Sequence, residues 1–324
     1  MPKRAVSYVN RVVFRYAASV IILALTVFPA YAGDVVTKSI GHPFNGRLEN
    51  GIPFPRWFEG YTLRELEKTY TTPEVIGALL HAISAVRKEF PNTYDLYLGD
   101  FSKPGGGPWY PHHKSHQNGR DVDIGFYFKT TTPEGFIRGS IENLDLARTW
   151  SFLINLIKTY MVEKIFLDFS IQKTLFMYGL SKGYSIDLLG KIFQLIPSRE
   201  CQFVVVCHEP NHADHFHVRF IAPWSELAGL LDNKLSNKEL ALIANMQSRF
   251  LPIKTFHRIQ KNETLESIAK RYGMSLSGLL WVNKDKTHLR PGISVLIYKP
   301  HYNEKMAKLA FELRRTIIYS LKLK

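Results

Sequence analysis

The chain has 324 residues, 45% of them hydrophobic, a net charge of +14 and two cysteines, which accommodates one large domain and one small one. The charge is unevenly placed: residues 33–253 balance at 23 basic and 23 acidic side chains, whereas residues 254–324 hold 15 basic and 5 acidic. A basic C-terminal module suits an anionic surface or polymer, and nucleic acid is excluded because no aromatic-rich nucleic-acid motif accompanies it and the chain opens with an export signal.

That signal comes first. Lys3, Arg4, Arg11 and Arg15 precede an apolar run from Ala17 to Val27, and Ala30-Tyr31-Ala32 has the small-x-small pattern of a cleavage site. Residues 1–32 are therefore expected to be removed, leaving no stable membrane span. An uncleaved anchor is the alternative, but the apolar run is short for a spanning helix. Export places the mature protein in the periplasm.

Thr72 is then expected to cap, and Pro73 to start, a helix whose Ile76, Leu79, Leu80, Ile83 and Val86 share one face. A second helix is predicted over residues 143–160, with Leu146, Trp150, Leu153, Ile154 and Ile157 on its core side. Short runs of strand character cover residues 95–99, 121–128, 164–168, 202–207 and 215–221. The last two are joined by residues 208–214, with Pro210 and Asn211, as in a hairpin. The mixture predicts an α+β fold built on an antiparallel sheet. Cys201 and Cys207 flank the β-branched run 202–206; a strand there separates their Cα atoms by about 20 Å at about 3.3 Å per residue, so two buried free thiols are expected rather than a bridge.

Two polar segments stand out against this background. In the first, Gly105-Gly106-Gly107 is followed by His113, His116 and then Asp121-Val122-Asp123-Ile124; the second reads His212-Ala213-Asp214-His215-Phe216-His217-Val218-Arg219. Side chains at i and i+2 of a strand share a face, so Asp121 with Asp123, and His215 with His217, project to one surface while Val122, Ile124, Phe216 and Val218 pack behind. His116 sits in a loop that the glycines leave free to turn. Together the segments offer two imidazoles and a carboxylate, a donor set suited to zinc that leaves a fourth tetrahedral position for water. Asp121 is expected to support that face, and Arg219 to form an internal ion pair.

The run Gly107…His113-x-x-Ser115-His116-Gln117-x-Gly119-x-Asp121-Val122-Asp123-Ile124, with His212-x-x-His215-x-His217-Val218-Arg219, resembles the penicillin-insensitive murein endopeptidases within the wider lysostaphin, D-alanyl-D-alanine carboxypeptidase and hedgehog-like zinc folds. A fainter likeness at Ser39-Ile40-Gly41 and Lys164-Ile165-Phe166 extends it over residues 38–222. The resemblance implies that His116, Asp123 and His217 bind zinc and that His215 is a catalytic neighbour, with His113 and His212 as further site histidines. It also implies hydrolysis of peptidoglycan cross-links, most directly D-alanyl to meso-diaminopimelate. The chain departs from the family near Arg47, where a cysteine is absent. A D,D-carboxypeptidase or amidase of the same fold is one alternative, and a wall-binding protein with a degenerate site another.

The remaining elements form a compact β-α-α-β pattern: a strand over residues 255–260, a helix from Thr264 to Tyr272 stopped at Gly273, a second from Ser275 to Val282, and a strand over 293–298 after Pro291-Gly292. Leu265, Ile268, Ala269, Leu279, Leu280, Val295 and Ile297 are its predicted core. Asn262-Glu263-Thr264-Leu265-x-x-Ile268-Ala269, Tyr272-Gly273, Leu279, Asn283, Leu289 and Pro291-Gly292 resemble a LysM domain, which implies peptidoglycan glycan as the ligand, with Thr264, Leu265 and Asn283 at the binding face. The expected division is a signal at 1–32, a zinc peptidase domain at 33–250, a LysM domain at 254–300 and a basic amphipathic tail at 301–324. In the tail, Met306, Leu309, Leu313, Ile317 and Leu321 recur at helical spacing, and docking on the catalytic domain is favoured over a membrane surface.

Overall fold

A computed structural model describes residues 35–109, 113–195, 200–286 and 289–322. The predicted export signal at residues 1–32 lies outside them. Among the described residues, no helix is long and apolar enough to cross a membrane.

The first half lays down a hairpin, β1 (Lys38–His42) with β2 (Asn45–Glu49), then β3 (Ile52–Pro53), β4 (Tyr61–Leu63), β5 (Tyr70–Thr71), helix α1 (Pro73–Glu89), β6 (Leu96–Leu98) and β7 (Asp121–Ile124). Helix α2 (Leu146–Lys158), β8 (Val162–Leu167), α3 (Phe169–Ser181), α4 (Ile186–Ile192), β9 (Val206–His208), β10 (Phe216–Phe220), α5 (Pro223–Leu231) and α6 (Asn237–Ser248) follow. Six of these strands form one sheet in the order β4-β6-β7-β10-β8-β9. Its centre is antiparallel, as expected, and the outer pairs β4–β6 and β8–β9 are parallel.

Both long helices form with the apolar faces predicted, although the Thr72 side chain makes no capping hydrogen bond. Pro73 occupies the first turn of α1, and Ile76, Leu79, Leu80, Ile83 and Val86 are all buried. Asp145 caps α2 by accepting from Arg148 N at 3.0 Å, and Trp150, Leu153 and Ile154 pack inward. The helices pack on each other and share a continuous core with Val122, Ile124, Ile165, Leu167, Val218 and Phe220 of the sheet. Glu74 on α1 is fully buried; it accepts from Trp224 N and Ser225 N, at 3.0 and 2.9 Å, satisfying the first amides of α5.

Two expectations fail together. The strand predicted over residues 202–207 is instead a 3-10 turn at Cys201–Phe203 followed by the short β9, and Phe203 is exposed. The turn brings the Cα atoms of Cys201 and Cys207 to 5.2 Å, and the two cysteines form a disulfide, so the predicted free thiols are wrong. Lys164 holds the turn closed by donating to the carbonyls of Cys201, at 2.6 Å, and Val204, and this competes with the extended backbone that β-branched side chains favour. The predicted hairpin is also absent. Strand β9 pairs in parallel with β8 at the sheet edge, whereas β10 inserts between β7 and β8, where the charged face of β7 satisfies its alternating His and Arg.

The C-terminal unit is a hairpin of β11 (Ile253–Arg258) and β12 (Ser294–Lys299) enclosing α7 (Leu265–Arg271) and α8 (Leu276–Val282). Thr264 and Ser267 form a capping box at α7, and Ser275 caps α8. Ile268, Ala269, Leu279, Val295 and Ile297 are buried and Leu265 is half-buried, as predicted. Leu280 is instead exposed, because one step along α8 turns it away from Leu279, and Met274 fills the interior. The unit leans on residues 56–59: Glu59 N donates to Gly273 O at 3.0 Å, Ser275 N to Trp57 O at 3.1 Å, and the Trp57 and Trp281 rings stack 5.7 Å apart. A Cβ at Gly278 would lie 2.5 Å from Trp57 Cα, so only glycine permits this approach.

The tail is a helix, α9 (Glu304–Lys322), and it packs against α5. Met306, Ala307, Ala310 and Leu313 are buried, while Leu309 is 37% exposed; Ile317 and Leu321 lie beyond the described side chains. Arg314 bonds Glu226 at 2.9 Å and Glu163 at 3.2 Å, and the buried Arg120 joins the same carboxylates at 2.9 and 3.0 Å. Burial pushes the Glu226 carboxyl up, but Arg120 and Arg314 outweigh it and hold its pKa below the ordinary 4.5. A depressed folded-state pKa contributes stability that is present above 4.5 and lost as pH falls through the folded value. We therefore expect Glu226→Gln to cost about 1–3 kcal/mol at pH 7. Thermal unfolding of wild type and variant should converge in acid; a gap as wide at pH 3 as at pH 7 would contradict this.

Candidate metal centre

The pairing of β10 with β7 assembles the site. Its register sets His217 opposite Asp123 and Arg219 opposite Asp121, with Val218 opposite Val122 on the core side. Alternation in two strands, aligned without a slip, therefore puts four polar side chains on one face. His116 enters from the loop that precedes β7. Gly106, at φ +66°, lets that loop turn, and a Cβ there would strike Gln117 O at 2.0 Å. His116 itself has φ +67°, a conformation that costs a non-glycine residue roughly 1–2 kcal/mol. Contacts at both ends hold it: Ser102 Oγ donates to His116 O, and His116 Nδ1 donates to Phe101 O at 2.8 Å.

The imidazoles share a pattern, with one nitrogen tied to an acceptor and the other turned inward. His217 Nε2 lies 3.1 Å from Asp121 Oδ2, His113 Nε2 lies 2.8 Å from Asp100 Oδ2, and His215 Nδ1 lies 2.7 Å from Asp214 Oδ1. Carboxylates and carbonyls only accept, so the tied nitrogen carries the hydrogen. The inner nitrogens meet Asp123: His217 Nδ1, His116 Nε2 and His215 Nε2 lie 2.9, 3.4 and 3.6 Å from its Oδ1, and His113 Nδ1 lies 3.9 Å from Oδ2. His212 joins from the loop before β10, its ring 4.9 Å from that of His215 and its Nδ1 bonded to Pro210 O. Five sequence-predicted histidines and Asp123 are thus brought together.

Whether this cluster suits a metal is answered by its buried atoms. Asp123 Oδ1 and His116 Nε2 are inaccessible to solvent and make no hydrogen bond, although they face each other. A carboxylate oxygen opposed to imidazole lone pairs is a donor set lacking a cation. The field at the cluster favours a positive charge. Burial pushes His217 towards neutrality, but Asp123 and Asp121 outweigh it and push its pKa up to about 10, while burial of Asp123 is outweighed by His116 and His217, which hold its carboxyl well below the usual range. His212 is shifted the other way, lowered by burial and by His215 and His217. Among the described residues, His113 with His116 and Asp123, and His212 with His215 and His217, each form a group whose ligand atoms lie within 4.8 Å of one another.

Support around the cluster was partly legible in sequence. Asp121 is fully buried and takes Arg219 Nε at 3.0 Å and Nη2 at 2.8 Å besides His217, so Arg219 forms the internal ion pair that was expected. Bonds from His217 and Arg219 outweigh the burial of Asp121 and hold its carboxyl far below the usual range. Asp100 and Asp214 were missed. Asp214 adjoins His215, a signal that was available, whereas Asp100 lies 13 residues before His113 and nothing in the pattern links them. Phe136, stacked 4.6 Å from His215, was equally invisible.

In the C-terminal unit, Thr264 caps α7 and Leu265 is the first residue of that helix. Asn283 is buried; its amide donates to Leu279 O and Leu296 O, each at 2.9 Å, and accepts from Leu296 N at 2.7 Å, tying α8 to β12.

No curated protein sequence matches the chain. Residues 39–174 match the family described as penicillin-insensitive murein endopeptidase, and residues 257–293 match the LysM domain. The first match contains His113, His116 and Asp123 but ends before β10, so the second histidine segment reaches the site through strand pairing rather than through the matched stretch. Over residues 39–174 the chain is thus similar to the penicillin-insensitive murein endopeptidases, a family of metallopeptidases that hydrolyse peptidoglycan, and a match to the LysM domain follows in the same chain.

Proposed function

We propose that this protein is a zinc-dependent endopeptidase that cuts D-alanyl–meso-diaminopimelate cross-links in the periplasm after removal of residues 1–32. The proposed division is a peptidase domain at 33–250, a LysM domain at 254–300 and a tail at 301–324. His116, Asp123 and His217 hold the zinc, and His215, His113 and His212 surround the reacting groups. The observation that carries this reading is the convergence of three inner imidazole nitrogens on Asp123 Oδ1 at 2.9–3.6 Å. Two imidazoles and one carboxylate suit zinc, and bound zinc supplies Lewis acidity that brings a water pKa to about 7 and polarises a carbonyl.

The chain's own residues do the rest. Asp121 and Phe101 O fix the tautomers of His217 and His116 so that unprotonated nitrogens face Asp123. His215, steadied by Asp214 and by Phe136, accepts the proton of the attacking water and returns it to the leaving amine. The LysM unit, with Thr264 and Leu265 at its glycan face and Asn283 holding that face together, keeps the enzyme on glycan strands, and its basic surface suits the carboxylates of the wall.

Incubation with purified sacculi, followed by mass analysis of muropeptides, tests the proposal. Cross-linked dimers should disappear, and a chelator should stop the reaction. Release of terminal D-alanine alone would identify a carboxypeptidase, separation of glycan from peptide an amidase, and unchanged muropeptides a binding protein; each outcome overturns the endopeptidase reading.

A further inference from the structure

We infer that Asp100 is a positioning residue for the hydrolytic site, fixing the tautomer and orientation of His113. The inference rests on His113 belonging to that site. Its ring nitrogens point in opposite directions, Nε2 to Asp100 Oδ2 at 2.8 Å and Nδ1 towards Asp123 Oδ2 at 3.9 Å. With Asp100 accepting, the hydrogen sits on Nε2, and Nδ1 presents a lone pair to the space in front of Asp123.

Several features separate this carboxylate from an incidental neighbour. The Asp100 side chain is only 3% exposed, whereas that of Asp214, the partner of His215, is 38% exposed. Arg64 Nη1 reaches the same Oδ2 at 3.1 Å, so a cation also holds the carboxylate. Asp100 is also tied to the strand that carries Asp123: Asp123 N donates to Asp100 O at 3.0 Å, and Gly99 N donates to Asp123 O at 2.9 Å. The next two residues continue the task on His116, Phe101 through its carbonyl and Ser102 through its hydroxyl. Residues 100–102 therefore form one strip that orients both loop histidines against Asp123. Trp109 packs on His113, with ring centroids 4.7 Å apart and His113 N donating to Trp109 O at 3.0 Å.

A buried carboxylate that meets a site imidazole at its far nitrogen acts on geometry and tautomer rather than on substrate affinity. Asp100→Ala should lower kcat about 100-fold, the order of one misdirected proton-transfer group, with KM within about twofold and metal content unchanged. Asp100→Asn retains an acceptor oxygen in the same place and should recover part of the loss. Nitrogen-15 NMR of histidine-labelled, metal-loaded protein should find His113 as the single Nε2–H tautomer in the wild type and as a mixture in Asp100→Ala. Because both residues act through one ring, Asp100→Ala added to His113→Ala should lower kcat no further.

The inference is overturned if Asp100→Ala retains the single tautomer with kcat within about threefold of wild type, or if its effect multiplies with that of His113→Ala. Should Asp100→Ala fail to fold, Asp100→Asn carries the test: a kcat about tenfold lower supports the inference, and an unchanged kcat overturns it. A wild-type protein that holds no metal and cleaves cross-links in chelator would instead sink the zinc reading, and the His113 tautomer would still decide the role of Asp100.

Discussion

Replacing His116 or His217 with alanine is expected to strip zinc from the protein and to lower cleavage of cross-linked muropeptides by about 1000-fold or more, since Lewis acidity worth several kcal/mol is lost with the ion. The two variants should differ in stability. His116 is held by a carbonyl, and its left-handed backbone stores roughly 1–2 kcal/mol of strain, so His116→Gly should lose the metal with little loss of fold. His217 lies between two buried aspartates, and its removal leaves Asp121 with Arg219 alone and Asp123 without its nearest partner. The measurement is zinc content by plasma mass spectrometry beside muropeptide turnover. Either alanine variant holding one zinc per chain would remove that residue from the ligand set.

Asp121→Ala is expected to have the next largest effect, on two observables together. Its carboxylate is fully buried and serves His217 and Arg219, both at least partly desolvated. Removing one member of such a group leaves the others uncompensated and costs about 3–5 kcal/mol of folding stability. Because Asp121 also sets the tautomer that presents His217 Nδ1 to Asp123, zinc affinity should fall about 10–100-fold. Asp121→Asn keeps the shape without the charge and should recover much of the stability but little of the affinity. Chemical denaturation with and without zinc separates the two effects; a variant with unchanged metal affinity would reduce Asp121 to a structural partner of Arg219.

Much of the site was legible because strand alternation is strictly twofold. His215 and His217, and Asp121 and Asp123, had to share faces once their segments were extended, and apolar Val122, Ile124, Phe216 and Val218 identified the opposite face as core. The helices were legible from Pro73, from the 3.6-residue spacing of α1 and α2, and from Thr264 and Ser275 as caps. The segment around Cys201 was misread for an equally physical reason. Its β-branched run has strand propensity, but two carbonyls bonded by Lys164, 37 and 40 residues away in sequence, decide for a tight turn and a disulfide. Propensity is local, and that competitor is not. The hairpin expected between β9 and β10 failed in the same way, since adjacency in sequence carries no charge information, whereas the acidic face of β7 attracts β10 away from β9.

The alternation of residue types, the starts of the helices, the two histidine-bearing segments and the small βααβ unit are all readable from local order, because they depend on neighbours within a few positions. That His217 lies opposite Asp123, that Asp100 holds His113, that the cysteines meet and that the tail helix docks through Arg314 emerges from the folded arrangement. Each of these depends on the register of strands or the packing of elements far apart in sequence, where the free energy of burying charges with their partners selects one arrangement among many that local pattern allows.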